Sequence, residues 1–129
     1  MSHSVNIKTQ FKNLENLLTQ FTKLGWTIQR DIKCRTYPSD PRRNEVHPYV
    51  AVNPKTSGYD VGIHVDEEKN AYFVCDFFGG SIEATLGKGM HKVKQGYAVD
   101  ELKKFMYEEN LSYNIEELEN GELLVIAEK

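Results

Sequence analysis

The stretch that decides the fold is residues 59–78, which read YDVGIHVDEEKNAYFVCDFF. Its two halves alternate apolar and polar residues on either side of a polar turn at 66–70, a pattern that is typical of a half-buried β-hairpin. Folding the chain about this turn brings the apolar residues of both strands to one face, whereas a slip of one residue would mix the faces. The sequence therefore predicts four cross-strand pairs, Val65–Ala71, Ile63–Phe73, Val61–Cys75 and Tyr59–Phe77.

An amphipathic helix is predicted ahead of this hairpin. Leu14, Leu17 and Phe21 recur at helical spacing. Asn13 suits the N-cap position, because its side chain can accept a hydrogen bond from a free backbone N–H, and Gly25 is well placed to end the helix. The helix is therefore expected over about 14–24.

The C-terminal part of the chain predicts a second helix and a second hairpin. Apolar residues at helical spacing indicate a helix over about 90–110. Asn120-Gly121 is the preferred pair for a type I′ turn, and it joins predicted strands at 113–119 and 122–127. The last strand is apolar on both faces, so we expect both of its faces to be covered.

These elements follow one another in the order β-α-β-β-β-β-α-β-β, since further strands are predicted at 5–9, 26–35 and 48–53. The simplest packing is a two-layer α+β fold, with a mostly antiparallel sheet and both helices on one face. The chain has 129 residues, of which 40% are hydrophobic and 27% charged. These values predict a single globular domain over 1–129.

Composition also bears on the compartment. No apolar run approaches the about 20 residues that a membrane-spanning helix needs, and the N-terminus has no signal-peptide pattern. Cys34 and Cys75 both lie in apolar, strand-like runs, so we expect reduced core thiols. These observations predict a soluble, intracellular protein that does not bind membranes.

Charge is distributed unevenly along the chain. Residues 1–60 carry nine Lys and Arg against five Asp and Glu, whereas residues 61–129 carry seven against fourteen. The net charge of −3 makes the whole chain too acidic for a general nucleic-acid binder. A protein partner is therefore favoured over nucleic acid, and homodimer formation is left open.

Short motifs along almost the whole chain resemble one family. These motifs are Met1-Ser2-His3, Ile7-Lys8-Thr9, Leu24-Gly25-Trp26, Gly58-Tyr59-Asp60-Val61-Gly62, the strand that reaches Asp76, and Tyr97-Ala98. In this order they are similar to the hypothetical chloroplast reading frame thirty-five family, a domain of unknown function in cyanobacteria, algal plastids and cyanophages. The resemblance implies a photosynthetic or phage source and a cytoplasmic or stromal location, but no reaction.

The chain departs from that family at two places. The family usually has a Trp- and Gln-rich stretch after the strand that ends at Asp76, whereas residues 77–81 here read FFGGS. His64 stands where the family commonly has Arg or another residue. A ligand or partner that contacts this region is therefore expected to differ from the family's.

The hairpin register predicts one candidate site. It places Asp60 opposite Asp76 on the polar face, with His64 on the same face two residues beyond Gly62. Opposed Cβ atoms lie about 4.5–5.5 Å apart, so two carboxylates there repel each other unless a cation compensates. The pair is a candidate divalent-metal or acid–base site with His64; the alternative is a solvated face neutralised by Lys8 or Arg35.

A second candidate site is a set of basic residues, predicted to bind an anion or an acidic partner. The segment before the hairpin supplies most of them, and a glycine-flanked lysine before the second helix adds one at a position where backbone N–H groups favour anions. The alternative is a solvent-exposed loop. The members are Lys33, Arg35, Arg42, Arg43, His47 and Lys88.

Three functions remain as hypotheses. The first is a non-catalytic accessory or interaction domain, because the chain has no nucleotide-binding loop, no Gly-x-Ser-x-Gly elbow and no Cys beside a local base. The second is a small metal- or anion-dependent enzyme or ligand sensor that uses Asp60 and Asp76. The third is a nucleic-acid binder through residues 30–47. The sequence identifies no cofactor.

Overall fold

The computed structural model describes residues 5–119 and 123–128 and contains seven strands and three α-helices within them. Five strands form one sheet in the order β1-β5-β4-β3-β2, and β6 and β7 form a separate two-stranded sheet. All neighbouring strands are antiparallel. The predicted α+β class is confirmed. The elements are β1 (Val5–Phe11), α1 (Leu14–Lys23), β2 (Thr27–Lys33), β3 (Val46–Val52), β4 (Val61–Val65), β5 (Ala71–Cys75), α2 (Ser81–Leu86), α3 (His91–Glu108), β6 (Ser112–Glu117) and β7 (Leu123–Glu128).

The central hairpin has the predicted register. Val61 pairs with Cys75, Ile63 with Phe73, and Val65 with Ala71. The strands are shorter than predicted, so Asp60 immediately precedes β4 and Asp76 immediately follows β5. The register is determined by the alternation, because only this pairing gathers the apolar side chains on one face.

The helices cover that apolar face. The Asn13 side chain accepts a hydrogen bond from Asn16 N at 3.1 Å and caps α1, and Gly25, at φ 89°, follows its end. The Tyr97 hydroxyl of α3 accepts hydrogen bonds from the backbone N–H groups of residues 12 and 13, which ties α3 to the start of α1. The buried core under the helices consists of Leu17, Phe21, Trp26, Ala51, Val61, Ile63, Ala71, Phe73, Cys75, Ile82, Leu86, Met90, Val93 and Tyr97.

The opposite face of the sheet is buried at its centre, and the 34–45 segment contributes to its cover there. Val50, Gly62 and Val74 form one row across this face, and Val50 and Val74 are at most 2% exposed. Within the segment, Cys34 and Asp40 are buried as well. Both cysteines are free thiols, as predicted.

The structure departs from the predicted elements in two ways. A short helix, α2, lies between the central hairpin and α3, where the predicted order of elements has no helix. Glycines with positive φ precede and follow it, at Gly79, Gly80, Gly87 and Gly89. The exposed fractions of Leu124 and Ile126 in β7 are 42% and 46%, so the prediction that both faces of the last strand are covered is wrong. The predicted Asn120-Gly121 turn lies outside the described residues. In the part of the chain that is described, no helix combines the length and apolar character needed to span a bilayer.

Candidate metal-binding site

Asp60 is held in a dense set of hydrogen bonds at the start of β4. Its carboxylate accepts from Arg35 N at 2.8 Å, from Arg35 Nε at 3.0 Å and Nη2 at 2.8 Å, and from Asn53 N at 2.9 Å. The same guanidinium donates to the backbone carbonyls of Asn53, Lys55 and Thr56. Asp60 therefore fastens the 34–45 segment and the turn before β4 to the sheet.

Asp76 has a similar structural role after β5. Its carboxylate accepts hydrogen bonds from Phe78 N at 2.9 Å and from Tyr37 N at 3.3 Å. The rings of Tyr37 and Phe78 also contact each other edge to face. Asp76 therefore fixes the turn after β5 against the 34–45 segment.

His64 lies near the other end of β4, together with His47 of β3. His47 Nδ1 lies 2.7 Å from His64 Nε2, and the two rings meet nearly perpendicular to each other. One of these nitrogens must carry the proton and the other must accept it, so both rings cannot be fully protonated in this arrangement. His47 is 2% exposed, and the side chain of His64 is 18% exposed.

A carboxylate completes the group. Glu45 Oε1 lies 3.9 Å from His47 Nδ1 and 3.9 Å from His64 Nε2. Both oxygens of Glu45 also accept from Arg42, at 2.6 Å from Nε and 2.8 Å from Nη2. Hydrogen bonding to Arg42 lowers the pKa of Glu45, so this carboxyl group is ionised at neutral pH.

These three atoms have the spacing of metal ligands. A triangle with sides of 2.7, 3.9 and 3.9 Å has its equidistant point about 2.1 Å from each corner. Zinc bonds to histidine nitrogen and carboxylate oxygen are about 2.0–2.2 Å long. Among the described residues, Glu45, His47 and His64 are the group of three His, Cys, Asp or Glu side chains close enough to share an ion.

Neighbouring residues fix the two rings. An ideal Cβ built on Gly62 would lie 2.6 Å from His47 Nδ1, so the His47 ring occupies the space that the missing side chain of Gly62 leaves. Tyr72 pairs with His64 across β4 and β5, and their rings stack at 5.2 Å with an angle of 16°. The rings are therefore held by packing before any ligand arrives.

A local irregularity brings His47 to this place. Tyr49 pairs with Ile63 and faces the helices, so regular alternation would turn His47 to the helical face as well. The ring instead meets Gly62 and His64 on the opposite face. Pro48 lies between Tyr49 and His47. The residue opposite Pro48 in the neighbouring strand is Asp31, which has a positive φ of 56°.

Both histidines favour the neutral form that binds metals. Burial lowers the pKa of His47, and the charge of His64 lowers it further, against the opposing effect of Glu45. Burial also lowers the pKa of His64. Neutral imidazole is the form that coordinates a metal ion.

The residues of the predicted metal site, Asp60, Asp76 and His64, do not lie together in the structure. Asp60 and His64 are four residues apart along an extended chain, a separation of about 13 Å, and the two aspartates engage backbone groups and Arg35. Of the three predicted residues, His64 alone belongs to the group of Glu45, His47 and His64 whose donor atoms lie close together among the described residues. The structure shows one part of the predicted alternative, because Arg35 pairs with Asp60. The face is not solvated there, since Asp60 and Asp76 are 2% and 1% exposed.

The basic residues of the predicted anion site do not form one cluster either. Arg35 and Arg42 are engaged with Asp60 and Glu45, and His47 belongs to the histidine pair. Arg43 directs Nη1 to the carbonyl of Asp40 at 3.4 Å. Lys33 ends β2, whereas Lys88 lies in a 3₁₀ turn before α3 in the helical layer.

Glu45 is the member of the site that sequence reasoning missed. Glu45-Val46-His47 has the i, i+2 spacing that places two side chains on one side of a strand, and this was the available signal. No family model, curated protein or solved structure matches the chain.

Proposed function

We propose that this domain binds a divalent transition-metal ion through Glu45, His47 and His64. The observation that carries the proposal is the common distance of about 2.1 Å from the three donor atoms to one point, which matches the bond lengths of zinc and its neighbours. No shared point of this kind links Asp60 and Asp76 with His64 among the described donors.

The donor set favours one class of metal. Two imidazole nitrogens suit zinc, copper, nickel and ferrous iron, whereas calcium and magnesium prefer oxygen ligands. Three protein ligands leave a coordination position for water or a small ligand, as in catalytic zinc centres and in the His-His-carboxylate iron centres. The proposed role is therefore a metal-dependent or metal-sensing domain rather than a structural zinc site.

Arg42 competes with the metal ion for the Glu45 carboxylate. Because it holds both oxygens of Glu45, the carboxylate must rotate or share its charge between Arg42 and the ion when metal binds. This competition favours moderate affinity and reversible binding over permanent retention. The ionised state of Glu45 and the neutral state of both rings require little proton release at neutral pH.

The biological setting is proposed from the resemblance alone. We infer a cytoplasmic or stromal location in a cyanobacterium, a plastid or a phage-infected cell. The histidine at position 64 does not belong to the residues that carry the resemblance, so we propose the metal site as a property of this chain rather than of that family.

The test is calorimetric titration of the chelator-treated protein with Zn²⁺ and, separately, with Mg²⁺. We expect one Zn²⁺ per chain and no Mg²⁺ binding at equal concentration. His64→Ala is expected to weaken Zn²⁺ binding at least about 100-fold, since loss of a supporting residue around a metal already costs up to that factor. Glu45→Gln, which keeps the shape of the side chain, is expected to weaken binding by a smaller factor.

His91→Ala is the matched control, because His91 is an exposed histidine at the start of α3. It should bind Zn²⁺ as the parent protein does. Circular dichroism and the unfolding midpoint confirm that each variant is folded. Equal loss of affinity in His64→Ala and His91→Ala, or no saturable Zn²⁺ binding by the parent, would refute the proposal.

A further inference from the structure

The β6–β7 hairpin stands apart from the main sheet. It forms its own two-stranded sheet, and its principal contact with the rest of the described fold is with α3. A hairpin of two strands is marginally stable in water when nothing else packs on it. Within the described residues, the hairpin therefore has less packing support than the strands of the main sheet.

Two large aliphatic side chains are exposed on one face of this hairpin. Leu124 and Ile126 are 42% and 46% exposed, and they share that face with Asn114 and Glu116, their cross-strand partners. Ile115 and Val125, which pair on the other face, are partly buried. This face thus presents two large aliphatic side chains next to polar cross-strand neighbours, an arrangement typical of an interaction surface.

The outer edge of β7 has no partner strand within the described part of the chain. Among the described strands, β7 pairs with β6 alone, so one row of its backbone N–H and C=O groups has no strand beside it. Proteins usually protect such an edge with Pro, with Lys or with a bulge. Residues 123–128 read LLVIAE and contain neither Pro nor Lys. This edge can accept an added strand from another molecule.

The negative charge around the hairpin indicates which kind of partner segment can bind there. Residues 107–129, which comprise the end of α3 and the hairpin, contain seven Glu and one Lys. Two copies of this surface would repel each other, whereas a segment rich in Lys or Arg would be attracted. Self-association through β7 is therefore disfavoured, and a basic partner is favoured.

We propose that β7 binds an extended segment of a partner protein in which apolar residues alternate with Lys or Arg. The segment adds to the edge of β7 as a strand. Its apolar side chains cover Leu124 and Ile126, and its basic side chains pair with the glutamates of the hairpin. This inference is independent of the metal site, and it gives the predicted accessory role a surface and a class of partner.

The probe is a fluorescein-labelled ten-residue peptide in which Lys and Val alternate, with a Glu–Val peptide of equal length as its counterpart. Fluorescence anisotropy should show saturable binding of the Lys–Val peptide and none of the Glu–Val peptide. Binding should weaken as salt is raised from 50 to about 500 mM, because exposed charges are then screened. Equal binding of both peptides, or of neither, would overturn the proposal.

Two pairs of substitutions locate the surface. Leu124→Ser with Ile126→Ser should weaken peptide binding about tenfold, whereas Val46→Ser with Val65→Ser, at exposed positions of the main sheet, should not. Equal effects of the two pairs would place binding elsewhere.

Charge reversal provides the second comparison. Glu116→Lys with Glu128→Lys should abolish the preference for the Lys–Val peptide, and Glu67→Lys with Glu68→Lys, in the exposed β4–β5 turn, should retain it. Sedimentation of the unliganded protein should show a monomer. A dimer that Leu124→Ser and Ile126→Ser dissociate would show that the occupant is a second copy, against the proposal.

Discussion

Strand β4 carries a polar group at each end of the same face, and the two groups differ in how much of their hydrogen-bonding capacity the protein uses. Asp60, just before the strand, accepts hydrogen bonds from two backbone N–H groups and from one guanidinium. His64, near its end, shares one short contact with His47 and lies 3.9 Å from a carboxylate. Between them, Gly62 has no side chain, and the His47 ring occupies the space that this leaves.

The difference separates a structural cluster at Asp60 from the proposed binding site at His64. A carboxylate whose lone pairs all face fixed donors stabilises the fold and has little left for a ligand. Two rings whose nitrogens converge with a carboxylate on one point can exchange their mutual hydrogen bond for metal bonds. Perturbation at the two ends of β4 should therefore have opposite consequences for stability and for metal affinity.

Removing the carboxylate of Asp60 should have the largest effect on stability. In Asp60→Ala, Arg35 loses its anion and two backbone N–H groups lose their acceptor, so we expect the free energy of unfolding to fall by about 3 kcal/mol. Urea denaturation measures the change, and Zn²⁺ affinity of the folded variant should stay within a factor of about three.

Glu67→Ala, in the exposed turn after β4, is the control and should leave the denaturation midpoint unchanged. If Asp60→Ala kept its stability and lost Zn²⁺ binding instead, the assignment of the two ends of β4 would be reversed.

Filling the space at Gly62 should affect both properties. In Gly62→Ala the new Cβ would lie 2.6 Å from His47 Nδ1, and His47 is too buried to swing aside freely. Overpacking of this kind costs about 1–3 kcal/mol. Displacement of the ring should also weaken Zn²⁺ binding at least about tenfold, as calorimetry would show.

Gly25→Ala separates these effects. Its Cβ meets no atom within 4 Å, but the φ of 89° strains an alanine, so stability should fall without a change in Zn²⁺ affinity. Unaltered Zn²⁺ affinity in Gly62→Ala would mean that the position of His47 Nδ1 does not matter for binding.

Acidification should produce the smallest effect, and its sign follows from the two lowered pKa values. Folded His47 and His64 bind protons less readily than the unfolded chain, whose histidines titrate near 6.5. The unfolded state therefore binds more protons below that pH, and the free energy of unfolding should fall as pH decreases through 6.5 towards 5.5.

Denaturation midpoints at pH 7.5 and 5.5 measure this change. The double variant His47→Gln, His64→Gln should show a smaller difference between the two pH values, because carboxyl groups contribute mainly below about pH 5. A midpoint that rises on acidification of the parent protein would contradict the expected sign.

Local patterns predicted the fold well because they are determined by neighbouring residues. Strict alternation established the β4–β5 register, and Asn13 and Gly25 marked the ends of α1. The same alternation placed Asp60 and His64 on one face, but it could not show which donors approach each of them. Arg35 reaches Asp60 through a loop whose path has no sequence pattern.

The proposed metal-binding group of Glu45, His47 and His64 could not be predicted for a related reason. It depends on the β3–β4 pairing and on a departure from alternation between Tyr49 and His47, which places the His47 ring on the face opposite to the one that alternation assigns to it. β3 is buried on both sides around Val50 and Ala51, so its apolar pattern does not define a face. The helix α2 was not predicted because it is short and four glycines, which disfavour helices, lie on its two sides.

The two cysteines lie on opposite sides of the main sheet, so the rate at which each thiol is modified reports how often its own side of the sheet opens. Cys75 belongs to the helix-covered core, and burial raises its pKa to about 12; Cys34 belongs to the segment that covers the other face, and burial raises its pKa as well. Since the thiolate is the reactive form, an alkylating reagent can modify each thiol only while its cover is open. The rate of modification at Cys34 compared with Cys75 would therefore report, in unmodified protein, which side of the sheet opens first.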